Sequence, residues 1–141
     1  MAEALVGYEG VLKYKVGGQD AGGSWVELLN CTNPKMSNSA DTADSSTRGS
    51  EGYKTTEPTL IDLGLTFEMI IDSGDADFAA FRAAFYARTM IGIQYYDEDG
   101  GDGVQADFKI TSFEQAQDLA DVQKVSVEMK PCRSDTAPSL I

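Results

Sequence analysis

Leu60–Ile71 reads LIDLGLTFEMII, and this stretch decides the fold. Ile61, Leu63, Leu65, Phe67, Met69 and Ile71 fall on one side of an extended chain, with Asp62, Gly64, Thr66 and Glu68 on the other. Side chains of a strand point alternately to opposite faces, so this period of two predicts a half-buried β-strand. A slip of one residue would expose all six apolar side chains, which pins the register.

Immediately before it, residues 32–58 read TNPKMSNSADTADSSTRGSEGYKTTEP. Apart from Met36, Tyr53 and alanines there is little to bury, and no period is visible. The segment is therefore expected to be a long polar loop inserted between strands. Loops of that length in a compact domain are functional or become ordered on binding. The functional expectation is an assembly arm that orders on a neighbouring subunit, with Thr47, Arg48 and Tyr53 as anchors, since Arg and Tyr are enriched among residues that carry interface energy. The bland alternative is an incidental surface loop.

Further outward, residues 5–16 contain a second alternation, with Leu12, Tyr14 and Val16 opposite Lys13 and Lys15. GGQDAGG at 17–23 is a turn, and SWVELLNC at 24–31 reads as a strand, so the two form a predicted hairpin. On the other side, DADFAAFRAAFYARTM at 75–90 is the one convincing helix. Phe78, Phe81 and Phe85 recur at helical spacing and should pack on a sheet, Asp75 or Asp77 can cap the start, and Arg82 and Arg88 lie later, where the helix dipole favours cations. IGIQYY at 91–96 is a short strand. In residues 104–113, Val104, Ala106, Phe108 and Ile110 are expected inside, with Gln105, Asp107, Lys109 and Thr111 outside. Residues 118–130 read as a final strand with Val125, Val127 and Met129 on one face, Pro131 ends it, and the tail from 132 is expected to be mobile. The sum is a single domain over 1–141 of α+β class, mainly β: an antiparallel sandwich or barrel with one flanking helix.

The totals exclude several function classes. With 23 acids against 11 bases the net charge is −12, which argues against tight nucleic-acid binding, since phosphate contacts need Lys and Arg. No segment has the length of a membrane span or the pattern of a signal peptide, so the chain reads as made and used without Sec export. Histidine is absent, which removes the commonest general base and any Ser-His-Asp or Cys-His site. Cys31 and Cys132 each fall near the end of a predicted strand, and free thiols are expected rather than a disulfide. Asp97, Asp99 and Asp102 in DEDGGDG offer hard oxygens suited to calcium, but lack the EF-hand spacing; a solvated hairpin turn is the simpler reading. No carboxylate pair is marked out for catalysis and no phosphate-binding glycine loop is present. An enzyme is not expected, and no cofactor or metal is implied.

The order of four segments resembles a known family. NCTNPKMSNSADTADSSTRGSEGYK, TLIDLGLTFEMIID, DADFAAFRAAFYARTMIGI and VQADFKITSFEQAQDLADVQKVSVEMKP together are similar to the major tail tube proteins of tailed bacteriophages and their relatives in prophage-like elements, over roughly residues 10–131. The resemblance implies a sandwich or barrel with a flanking helix that forms hexameric rings. The rings stack into a hollow tube in the virion tail, assembled in the bacterial cytoplasm alongside other tail proteins and passing DNA without specific contact. It also implies that the long segment joins neighbouring subunits or rings. Type VI secretion tubes share the fold and are the nearest alternative; a monomeric calcium-binding or adhesion sandwich is the alternative from another class. An acidic bore would keep DNA sliding by like-charge repulsion. Asp62, Thr66, Glu68 and Asp107 are the expected lumen-facing residues, while Lys109, Lys124 and Lys130 must point elsewhere or pair with acids.

Overall fold

Alternation becomes pairing in the computed structural model, which describes residues 10–72, 74–98 and 100–141. The elements are β1 (Val11–Val16), β2 (Val26–Glu27), β3 (Thr32–Asp44), β4 (Thr56–Ile70), α1 (Ala76–Ala87), β5 (Ile91–Tyr96), β6 (Gly103–Ala116), β7 (Lys124–Pro131) and β8 (Ser139–Leu140). All pairings are antiparallel, in the order β2-β1-β5-β6-β7-β4-β3, with β8 added to β6. The path ends at β2 and β3 without joining, so the sheet is an open, sandwich-like one rather than a closed barrel.

β6 holds the two halves together. Gly103–Phe108 pairs with β5, while Phe108–Ala116 pairs with β7, and the register shifts between Ile110 and Ser112. A bulge bends a strand and increases its twist, which lets one long strand serve both halves. Between them lies the core, where Leu65, Met69, Ile91, Ile93, Phe108, Val125 and Met129 are fully buried.

α1 closes this core. The Asp75 carboxylate accepts the Asp77 N–H at the helix start, and Arg88 ends it in the left-handed conformation at φ 59°. Phe81 is fully buried between Tyr14 and Phe67, at centroid distances of 5.1 and 5.5 Å. Phe78 is buried and Phe85 is half-buried, stacked on Phe113 of β6 at 5.6 Å. The Tyr14 hydroxyl donates to Asp77 Oδ1 at 2.6 Å, so β1 is tied to the first turn of α1. Burial and that carboxylate together raise the Tyr14 phenol far above its ordinary range.

The structure departs from the sequence reading in several places; of the strand expected at 24–31 only Val26–Glu27 forms a strand, and residues 5–9 of the first expected strand lie outside the described residues. The polar segment is no loop: residues 32–44 form β3, paired to β4 from Thr32↔Glu68 to Asp44↔Thr56. Ile61 does not join the other five apolar residues of its strand, because β4 runs past the body there and leaves it 74% exposed. The last long strand begins only at Lys124, after a turn, and includes Pro131 opposite Phe108. The tail is docked rather than loose. Ser139 and Leu140 pair with Gln105 and Val104, Gly103 and Ile141 exchange backbone bonds at 2.9 and 3.0 Å, and Gln19 Nε2 donates to the Thr136 carbonyl at 2.9 Å.

Close packing around β5 explains one glycine. A Cβ on Gly92 would lie 2.7 Å from the Gln19 nitrogen and 2.9 Å from the Gly18 carbonyl carbon, so only glycine lets the β1–β2 turn lie against the sheet. No helix among the described residues is long and apolar enough to cross a membrane.

Candidate functional site

Two surfaces stand out, and β4 contributes to both. The first is a ribbon. β4 pairs with β7 only over Leu65–Ile70, so among the described residues Thr56–Gly64 has β3 as its sole partner. This is roughly 30 Å of two-stranded sheet at ~3.3 Å per residue, buried at its base around Leu63 and exposed beyond it. The predicted anchors Thr47, Arg48 and Tyr53 all sit at its tip, where Thr47 precedes a short 3-10 turn at Arg48–Ser50. The tip is bonded to itself: Ser45 N–H to the Thr55 carbonyl at 3.0 Å, Thr47 N–H to Ser50 Oγ at 3.1 Å and Tyr53 N–H to the Ser50 carbonyl at 3.0 Å. Asp44 accepts the Ser46 N–H at 2.9 Å, and that bond holds its carboxyl below the usual aspartate range. Tyr53, Leu60 and Ile61 expose more than 70% of their surface, so the ribbon presents three large apolar side chains on an otherwise polar strip.

The second surface is the outward face of β4, β7 and the end of β6. Register places Thr66 beside Glu128 and Glu68 beside Ser126; Glu128 in turn neighbours Ser112, and Ser126 neighbours Glu114. Acids thus alternate with hydroxyls around a shallow depression of about 320 Å³. Of the predicted lumen residues, Thr66 is exposed and Glu68 half-buried in this patch, and Asp62 lies further along the same face. Asp62 meets Lys130 at 3.9 Å, and Lys124 meets Asp121 at 3.3 Å, so two of the three lysines have acidic partners. Lys109 is exposed. Glu114, Ser126 and Glu128 were not singled out from sequence, although Ser126 and Glu128 alternate with Val125, Val127 and Met129, and that alternation carried the signal.

Asp107 does not belong with them. It is 3% exposed, covered by the β1–β2 turn and by the tail. Its Oδ1 accepts the Gln19 backbone N–H at 2.6 Å and its Oδ2 accepts Gln19 Nε2 at 3.2 Å. Gln19 Oε1 accepts from Gln105 Nε2, whose Oε1 accepts from Gln94 Nε2, both at 2.7 Å. Alternation correctly turned Asp107 away from the core, but other parts of the chain fold over that face. Buried there, its carboxylate fastens the β1–β2 turn and is not presented to solvent.

The remaining candidates are quiet. Both cysteines are free, and burial raises each thiol, reinforced by Asp77 and Glu27 for Cys31 and by Asp107 for Cys132. The Asp97 N–H donates to the Asp102 carbonyl at 3.0 Å and closes the β5–β6 hairpin; Asp99 lies outside the described residues. Among the described residues no group of three or more His, Cys, Asp or Glu is placed to hold a metal.

Solved structures share this overall fold. A chain in the tail of an empty gene transfer agent particle, refined helically with C6 symmetry, superposes with a TM-score of 0.76 over 98% of this chain and 99% of the other, at 20% identity. The chain has the tail tube fold. The SPP1 tail tube gives 0.73 over 91% of this chain and 76% of its own, at 13% identity. A component of an extracellular contractile injection system, from the sheath/tube terminator in its extended state, gives 0.62 over 99% and 98%, at 12% identity. No protein-family model and no curated protein matches the sequence. The tail tube fold is thus carried here by a pattern of burial and pairing.

Proposed function

We propose that this chain is a structural subunit of a phage-type tail tube. It self-associates into hexameric rings, the rings stack, and DNA passes through the bore; no catalytic step is involved. Its place is the virion tail, built in the bacterial cytoplasm together with other tail proteins. The observation that carries this reading is the ribbon. An isolated two-stranded ribbon is marginal in water, and this one exposes Tyr53, Leu60 and Ile61. Covering each of them on a neighbouring subunit would contribute about 1.5–3 kcal/mol. The C6 symmetry of the gene transfer agent tail supports six subunits per ring. The patch of Glu68, Glu114 and Glu128 supports an acidic bore that DNA passes without sticking.

A second reading is favoured by the likeness to the contractile injection system: a tube of the same architecture that carries protein cargo. The ribbon would act alike in both, and a DNA-passage assay separates them.

The test of the ribbon is its removal. Replacing residues 40–61 by Asn-Gly joins Ser39 to Asp62, which already face each other in the ladder. The shortened protein should melt as the full chain does and remain monomeric by light scattering at concentrations where the full chain assembles. Rings or tubes from the shortened protein would refute the role given to the ribbon.

A further inference from the structure

The turn between β6 and β7 and the outer face of α1 belong to neither surface described above, and their chemistry matches. Leu119 at that turn is fully exposed and touches nothing of its own chain that would bury it. Asp118 and Asp121 flank it; the Asp121 N–H donates to the Asp118 carbonyl at 3.3 Å, which closes the turn and presents Leu119 at its apex. On α1, Phe78, Ala79, Arg82, Ala83 and Tyr86 line a mainly apolar groove of about 260 Å³. These positions recur at three- and four-residue spacing, so they form one stripe, with the buried Phe78 at its floor and Phe81 and Ala84 facing the core. The Arg82 guanidinium lies over the Phe78 ring at 4.9 Å, which sets a positive charge at the groove's rim. Tyr86, 71% exposed, borders the same groove.

An apolar knob beside the Asp118 carboxylate, with Asp121 already paired to Lys124 at 3.3 Å, thus exists on the same chain as an apolar groove beside a guanidinium. In a protein of net charge −12, an exposed arginine on an apolar helix face is a minority feature, and a carboxylate that complements it, Asp118, is supplied by the chain itself. We propose that the Leu119 turn of one copy docks in the α1 groove of the next, with Asp118 facing Arg82. Knob and groove are different surfaces, so the contact is heterologous: it propagates from subunit to subunit and either closes a ring or extends a stack. This proposal rests on the self-associating reading above and names a contact that the ribbon does not make.

The test is a charge exchange in the full-length chain. Arg82→Glu and Asp118→Arg are each made alone and then together, with Leu119→Ser as an independent variant. Arg82, Asp118 and Leu119 are all exposed, so every variant should fold, with Arg82→Glu losing only its contact with the Phe78 ring. Each single variant should raise the concentration at which assembly begins, followed by sedimentation velocity, on the order of tenfold. The Arg82→Glu/Asp118→Arg double variant should return it to near wild type. Folded single variants that assemble like wild type, or a folded double variant without recovery, would overturn the docking while leaving the tube reading intact. A wild-type chain that stays monomeric at every concentration would remove both.

Discussion

Replacing Asp107 by alanine separates a fastening role from a channel role. The substitution removes both acceptors of Gln19, the backbone N–H at 2.6 Å and Nε2 at 3.2 Å. Nε2 keeps the Thr136 carbonyl at 2.9 Å, so the orphaned group is the Gln19 backbone N–H, in a residue only 8% exposed. Burying an unpaired donor costs about 1–3 kcal/mol, and the lost bonds were made to a carboxylate, which places the effect at about 2–3 kcal/mol. For a domain of this size that is a fall in Tm of roughly 6–10 °C. Thermal unfolding followed by circular dichroism measures it. Limited trypsin cleavage after Arg133 gives a local readout, since a loosened β1–β2 turn also frees the tail held by Gln19. Asp107→Asn, which retains one acceptor oxygen, should lose less. Unchanged melting and unchanged cleavage, combined with altered DNA passage, would refute the fastening role and return Asp107 to the bore.

Three further outcomes are expected. Phe81→Ala should destabilise by about 3–5 kcal/mol, because Phe81 is fully buried between Tyr14 and Phe67; a urea midpoint equal to wild type would mean that α1 does not pack as described. Glu68→Lys with Glu128→Lys should leave ring formation intact yet lower the yield of infectious particles, and normal titres would remove that face from the bore. The Ser46 amide shift should titrate with a midpoint below the ordinary aspartate range, because the bond from Ser46 favours the ionised form of Asp44. A carboxyl lowered in the folded state contributes stability above its unfolded pKa, and that contribution is lost as pH falls through the folded value. The ribbon tip should therefore loosen only in strong acid, and a midpoint at or above the free-aspartate value would refute the bond.

What the sequence made legible was burial. Residues 63–70 and 125–129 fold as their periodicity dictates because one of their faces is dry, and the Phe spacing of α1 records its contact with β6 in the same way. What it concealed were elements held by backbone pairing alone. TNPKMSNSADTAD has no apolar face because β3 has only solvent on both sides over most of its length, and its strand character comes from the ladder that β4 offers. β8 is two residues long and leaves Leu140 86% exposed, so no periodicity could mark it. Asp107 failed for a different reason: alternation assigns a side chain to a face, but which other segments lie over that face is decided by the β1–β2 turn and the tail, far away in sequence. The anchors Thr47, Arg48 and Tyr53 share one tip because β3 and β4 pair on either side of them. The acidic patch needed the register between β4, β7 and β6 before Glu68, Glu114 and Glu128 came together.

The most direct test of the central claim is cryo-electron microscopy of the purified full-length protein across a concentration series, with helical reconstruction of whatever assembles. The account predicts stacked six-fold rings, the β3–β4 ribbon lying against a neighbouring subunit, and Glu68 and Glu128 lining a hollow bore. Monomers at every concentration, or tubes in which the ribbon hangs free and the acidic face points outward, would contradict it.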